Sequence, residues 1–278
     1  MARLDVELTE RGLAASRSMA QRLVAERRVH VAGRVAERAS ARVDPSTPIT
    51  VEAGEDYVSR AAHKLAGALD RLAEAPCGAP VLAGRRVLDA GASTGGFTQV
   101  ALRRGAAHVV AVDVGSGQLD ARLRGRPDVS VLEHTNVRTL DPALVAPAPD
   151  VLVADLSFIS LTLVLAPLAA ALAPTADALL LVKPQFEVGR DRLGSGGVVT
   201  DEAARADAVE RVLAASSAEG LRALAALPSP LAGTHGNHEI VVWLRRDEAG
   251  VPLEADAEHR RLALGAAAGE LVVAEWGS

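Results

Sequence analysis

Between residues 87 and 244 the chain alternates short apolar runs with longer segments whose apolar residues recur every three or four positions. The runs fall at 87–88, 108–112, 129–132, 150–154, 178–182, 221–227 and 240–244 and are built mainly from Val, Leu, Ile and Ala. Continuous runs of this length predict strands buried on both faces. Segments between them predict helices: Phe97, Val100, Ala101 and Leu102 follow the first run, and Val209, Val212 and Leu213 point inward from a helix over 201–220. Strand and helix in alternation predict an α/β fold, a doubly wound sheet of seven strands with helices on both faces and a late antiparallel edge strand. Upstream, Leu65, Leu69 and Leu72 share one helical face. Residues 251–278 predict a terminal helix and a tail without legible chemistry.

The first 54 residues follow a different pattern. Arg3-Leu4-Asp5 opens a short helix that ends at Gly12, and Ser16 starts a second helix with Ala20, Leu23 and Val24 on one side. Alternation over 29–35 with Ala32-Gly33 at its centre predicts a hairpin, and residues 49–51 a closing strand. Residues 1–54 therefore form a small α+β domain, 55–59 a linker and 60–278 the large domain. Tyr57, the sole tyrosine, packs either between domains or in a core.

Charge sharpens this division. The protein carries a net charge of -5, yet from Arg11 to Arg42 there are eight arginines against Glu26 and Glu37. Such a basic face in an acidic protein suits phosphates; a merely solvated arginine-rich face is the alternative. A single cysteine, Cys77, excludes an internal disulfide and any cysteine-cluster metal site. No apolar run is long enough to span a membrane, and the N-terminal residues lack a signal-peptide pattern, so a cytoplasmic location is expected. Of 30 basic residues only Lys64 and Lys183 are lysine. Where arginine serves everywhere else, lysine offers a compact ammonium that can lose its proton.

The chemistry centres on Val87-Leu-Asp-Ala-Gly-Ala-Ser-Thr-Gly-Gly-Phe97, a strand, a glycine turn and a helix start. Gly91 and Gly96 have the spacing of a P-loop, but Phe97 stands where that loop needs lysine. Ala92-Ser93 breaks the dinucleotide pattern Gly-x-Gly-x-x-Gly. S-adenosylmethionine (SAM) remains, with an ordinary tight turn as the bland alternative. Asp89 suits its cationic methionine end, and Gly91, Ser93, Thr94, Gly95, Gly96 and Phe97 let the ligand lie against the backbone. Asp113, after the second strand, is placed to accept ribose hydroxyls, or else to cap a turn. Asn136 lies in a loop suited to the adenine. Asp155 and Lys183 end the fourth and fifth strands on the same rim. Residues 189–197 predict a flexible loop able to cover RNA.

Lys64, Asp155, Lys183 and Glu239 resemble the Lys-Asp-Lys-Glu tetrad of RrmJ/FtsJ-type RNA ribose 2′-O-methyltransferases. Arg3-Leu4-Asp5, Gly12-Leu13-x-x-Ser16-Arg17 and the Val29-x-Val31-x-Gly33 hairpin resemble the S4 RNA-binding domain. With Ala154-Asp-Leu-Ser-Phe-Ile-Ser160, Val182-Lys-Pro-Gln-Phe-Glu187 and Gly236-Asn-x-Glu239, the whole chain resembles the TlyA family of rRNA (cytidine-2′-O)-methyltransferases, also called haemolysin A. The resemblance implies a Rossmann-like SAM-dependent methyltransferase sheet with a small S4-like front domain. It implies methylation of a cytidine in 23S rRNA of the 50S subunit. The length and intact front end match the longer members, which also modify the 30S subunit. Family members often have glycine after the Ser-Arg pair, where this chain has Ala61-Ala62, and tyrosine where it has Ser116.

From the resemblance follow the expected roles. Lys183 is the base or hydroxyl-orienting group, Asp155 holds the lysines near the methyl, and Glu239 orients Lys64 or the ribose. Arg3, Arg11, Arg17, Arg22, Arg34 and Arg60 contact RNA. No metal and no membrane partner are expected. A non-catalytic RNA-binding or ribosome-assembly factor on the same scaffold is the competing class. A lytic protein finds no support in any cationic amphipathic helix.

Overall fold

The computed structural model describes every residue except 1, 15, 26, 53–56, 190–191, 234–235, 248–256 and 276–278, and leaves the side chains of Arg22 and Ser195 undescribed. The chain divides into two compact units, Met1–Asp56 and Tyr57–Ser278. Glu55 and Asp56 of the expected linker lie outside the described residues, while Tyr57 to Ser59 belong to the large unit.

The first unit runs β1 (Ala2–Arg3), α1 (Leu4–Glu10), α2 (Arg17–Ala25), β2 (Val29–Val31), β3 (Arg34–Val35), β4 (Arg42–Val43) and β5 (Ile49–Val51). Leu4, Leu8, Ala20, Leu23, Val24 and Val29 close a small core. β2 pairs with β3 and β5, and β1 pairs with β4. Between β2 and β3, Ala32 and Gly33 both adopt positive φ, as a two-residue hairpin turn demands. The buried Asp5 carboxylate accepts hydrogen bonds from Arg3, Gln21 and Arg17. The bonds from Arg3 and Gln21 hold it far below the ordinary carboxylate range.

These bonds change the reading of the arginines. Arg11 donates to Glu7 and to the carbonyls of Pro45 and Thr47, so it staples the loop before β5 to α1. Arg3 grips Asp5 through two donors. Both serve the fold of the unit itself, because a planar guanidinium satisfies several fixed acceptors at once. Arg3 keeps an exposed side chain, as do Arg34 and Arg17, which shares Asp5 with it, and the side chain of Arg22 lies outside the described residues.

The large unit begins with Tyr57, which is buried beneath the Arg103 guanidinium and meets His63 edge-on. Then follow α3 (Ala61–Glu74), β6 (Arg86–Ala90), α4 (Gly96–Arg103), β7 (His108–Val112), α5 (Ala121–Arg124), β8 (Val129–Leu132), β9 (Val151–Ala154), α6 (Leu165–Ala171), β10 (Asp177–Val182), α7 (Pro184–Glu187), α8 (Glu202–Ala218), β11 (Leu221–Pro228), β12 (Ile240–Arg246), α9 (Ala257–Ala268) and β13 (Val272–Val273). They build one sheet in the order β13-β11-β12-β10-β9-β6-β7-β8, with β10 to β8 parallel. Alternate strand residues feed opposite layers: Leu88, Leu152 and Ala154 meet α6, α8 and α9, whereas Val87, Val151 and Val153 meet α3 and α4.

Two expectations about the sheet need correction. Among the described residues it has eight strands rather than seven, because Val272–Val273 pairs with Ala225 and Ala226 of β11. Two apolar residues are too short a run to register as a strand in sequence. The antiparallel strand β12 is not at an edge; it lies between β10 and β11, which explains why its five residues from Ile240 to Leu244 are all buried.

Candidate active site

From β6 the chain winds outward through β7 and β8, then returns to β9 and β10 on the other side of β6. A crevice opens at such a reversal, beyond the carboxyl ends of the two neighbouring strands. Ala90 pairs with Ala154, so Gly91 and Asp155 leave the sheet side by side. Gly91 has φ +85°, and a Cβ there would lie 3.1 Å from the Asp155 carbonyl oxygen. Only glycine lets the two loops approach this closely.

Two cavities meet at the crevice. The first, about 310 Å³, is lined by Ser59, Arg60, Lys64, Thr94, Gly96, Phe97 and Lys183, among others. The second, about 470 Å³, lies against Asp113, Gln118, Asn136, Phe158 and Ile159. Gly91, Ser93, Asp155 and Ser157 belong to both walls.

Both lysines reach the first cavity, each with its own acid. Lys183 Nζ lies 2.6 Å from Asp155 Oδ1 and donates to Ser157 Oγ at 2.7 Å. Lys64 Nζ donates to Glu239 Oε2 at 2.6 Å. Register explains the convergence: Val182 pairs with Ile240 across the antiparallel β10–β12 ladder, so Lys183 and Glu239 adjoin on the rim. Lys64 comes down from α3. The expectation that Asp155 holds both lysines is therefore corrected; Glu239 is the partner of Lys64. All four side chains are largely buried, and an ammonium and a carboxylate withdrawn from water must be paired.

Lys64 owes its place to Gly96. A Cβ on Gly96 would stand 2.3 Å from Ser59 Oγ and 2.9 Å from the Ala62 nitrogen, so α3 can seat its first turn on α4 only because this residue has no side chain. Val58 N–H donates to Gln99 of α4 at 2.7 Å and fixes the same approach.

Asp89 departs from expectation. It lines neither cavity, because it lies inside β6 with the parity of Val87 and faces α4, where it accepts the Thr98 hydroxyl at 2.6 Å. Burial raises its pKa to about 7, against the opposing Thr98 hydrogen bond. A raised acid pKa means that the folded protein keeps a proton that the unfolded chain has lost. Stability should therefore fall as pH rises from about 4 to 7 and level off above, on the order of 1.4 kcal/mol per pH unit for this group. Asp89→Asn removes the dependence. Thermal unfolding of both forms should show the asparagine variant gaining on the parent between pH 5 and 8; parallel curves would refute the assignment.

Gly95 also lines neither cavity; its φ of +92° starts α4. Asp113 accepts the backbone N–H of Ser93 at 2.8 Å and of Gly115 at 2.7 Å, which ties two loops at the edge of the second cavity. Asn136 caps the Arg138 nitrogen and lines the same cavity. Ser59, Ser157, Gln118, Phe158 and Ile159 carry wall positions that the sequence reading did not assign. Motif position could have flagged Ser157 and Phe158, which follow Asp155 directly. Among the described residues no group of three or more His, Cys, Asp or Glu is arranged to hold a metal ion, and no helix is long and apolar enough to cross a membrane.

Comparison with known proteins agrees with this geometry. The model of the FtsJ-like methyltransferases matches residues 57–246, and that of the S4 domain residues 2–49. The 16S/23S rRNA (cytidine-2′-O)-methyltransferase TlyA of Mycobacterium tuberculosis is 47% identical over 270 residues, which cover 95% of this chain and 98% of the relative. The chain belongs to the TlyA family of FtsJ-like methyltransferases. The TlyA relative YqxC of Bacillus subtilis, described as an rRNA methyltransferase, is 40% identical over 87% of this chain and 85% of its own. A solved structure from Streptococcus thermophilus, described as a hemolysin, superposes with a TM-score of 0.72 at 32% identity, covering 95% of this chain and 94% of that one. TlyA membership accounts for the S4 unit and the methyltransferase unit together, and it excludes the P-loop and dinucleotide readings of the glycine turn.

Proposed function

We propose that this chain transfers a methyl group from SAM to the ribose 2′-hydroxyl of a cytidine in ribosomal RNA, in both the 50S and the 30S subunit. The observation that carries this reading is the pair of buried lysine–acid contacts on the wall of a glycine-lined crevice. The wall fits the donor: Ser59 Oγ is buried there with no hydrogen-bond partner among the described residues, and a polar atom in that state calls for a polar ligand. The second cavity would take the nucleoside, with Asp113 on the ribose and Asn136 near the base. The methionine end would lie in the first cavity beside Ser59, Arg60, Thr94 and Phe97.

SAM supplies a methyl carbon already activated by its sulfonium, so the protein has mainly to align and deprotonate the acceptor. Lys183, fixed by Asp155 and Ser157, orients the 2′-hydroxyl; once its ammonium has lost a proton to solvent, the neutral amine takes up the hydroxyl proton as the 2′-oxygen bonds to the methyl carbon and the methyl–sulfur bond breaks. Lys64, held by Glu239, lines the same cavity and steadies the developing oxyanion. The target nucleotide has to leave its stack to reach a crevice this enclosed. Arg17 and Arg34 of the S4 unit, and Arg60 on the cavity rim, contact phosphates.

The test is methyl transfer from tritiated SAM to purified 30S and 50S subunits, followed by mapping of ribose methylation. Label on the ribose of a cytidine in each subunit is the expected result. SAM binding by calorimetry without transfer to either subunit would overturn the reading in favour of a non-catalytic RNA-binding factor.

A further inference from the structure

The loop from Asp155 to Leu161 is gripped at both ends by one short stretch of chain. At its start, Lys183 holds Asp155 and Ser157. At its end, Glu187, four residues after that lysine, accepts the Ser160 hydroxyl through Oε2 and the Leu161 N–H through Oε1 at 2.8 Å. α7 is the single turn that joins the two grips, and Arg211 of α8 donates to the Glu187 carbonyl and fixes its far end. Between the grips, Phe158 and Ile159 form part of the second cavity's wall. Phe158 is held at φ +64°, is 92% exposed and leans on Phe186 of α7 with ring centroids 5.4 Å apart. A non-glycine residue keeps such a backbone only where its surroundings over-determine it.

We infer that Glu187 is a positioning residue for methyl transfer: through Ser160 and Leu161 it sets the loop that forms the nucleoside wall and carries Ser157, the partner of Lys183. The inference rests on the function proposed above. A carboxylate is a costly way to satisfy one backbone N–H in a place that is 4% exposed. Burial raises its pKa above the ordinary glutamate value, against the Ser160 hydrogen bond. What a carboxylate adds over a neutral side chain is two acceptor oxygens at a fixed spacing, so that Ser160 and Leu161 are held relative to each other and to α7. Because the same α7 follows Lys183 directly, a shift of the loop moves the nucleoside wall and the lysine's partner together.

The experiment uses the full chain. Glu187→Asp keeps the charge but withdraws it by one methylene, and Ser160→Ala removes one of the two donors. Four quantities are read: SAM affinity by calorimetry, single-turnover methyl transfer to 50S subunits at saturating SAM, subunit affinity, and Tm. A misplacement of about 1 Å can cost up to a hundredfold in rate, so each variant should bind SAM about tenfold more weakly and transfer about tenfold more slowly. Subunit affinity should stay within twofold. The double variant should lose little more than either single one, since both break the same link. A lower Tm with unchanged SAM affinity and rate would overturn the inference and leave Glu187 a structural residue. Failure of the parent protein to bind SAM or methylate either subunit would instead remove the proposed function beneath it.

Discussion

Lys183→Ala should lower the single-turnover rate of methyl transfer by about a thousandfold or more while SAM affinity stays within about threefold of the parent. Loss of a positioned proton acceptor alone removes 10²–10⁴. Here the same side chain also orients the nucleophile, between Asp155 at 2.6 Å and Ser157 at 2.7 Å. SAM affinity is expected to survive because removal of the ammonium leaves the Asp155 charge facing a cationic ligand. Lys183→Arg should fail as well: arginine keeps the positive charge but does not give up its proton at ordinary pH. Rapid-quench assays on ribosomal subunits, with calorimetry for SAM, measure both quantities. A rate within tenfold of the parent in the alanine variant would move the proton acceptor elsewhere.

Glu239→Ala should destabilise the protein by about 3–5 kcal/mol, as is usual when one partner of a buried ion pair is removed and the other is left uncompensated. The carboxylate has 3% of its surface exposed and the Lys64 ammonium 12%, so water cannot replace it readily. The double replacement Lys64→Met with Glu239→Leu, which removes both charges and keeps the volume, should return stability to within about 1 kcal/mol of the parent. Methyl transfer should remain absent. Denaturant unfolding and the transfer assay together separate the two roles of the pair. A stable Glu239→Ala variant would show that the contact with Lys64 is not a buried pair in solution, and an active double variant would show that the pair serves the fold alone.

Much of this site was legible in the sequence because it rests on residue types that stand out. Two lysines among twenty-eight arginines, and four charged residues at or near the ends of apolar runs, are visible without coordinates. The sheet was legible for the same reason: runs buried on both faces leave an unbroken apolar signature. What could not be read was direction and pairing. Asp89 and Asp155 look alike in sequence, each close to the end of a strand. Asp89 lies one residue before the end of its strand and Asp155 one residue after the end of its own; that difference leaves the first in the layer under α4 and the second at the mouth of the crevice. Which acid serves which lysine depends on β12 lying beside β10, a contact between residues far apart in the chain. In sequence Arg3 and Arg11 are indistinguishable from surface arginines, because their acceptors, the Asp5 carboxylate and four sites on α1 and the loop before β5, lie in the fold and not in the pattern. Val272–Val273 was invisible as a strand because an edge partner, not its own pattern, defines it.

Lys64 and Glu239 stand 175 positions apart in the polypeptide yet share one proton-mediated contact. The acid that Lys64 needs is therefore in place only when the strand beginning at Ile240 lies between β10 and β11, so a fault anywhere in that ladder reaches the cavity wall without touching a residue that lines it.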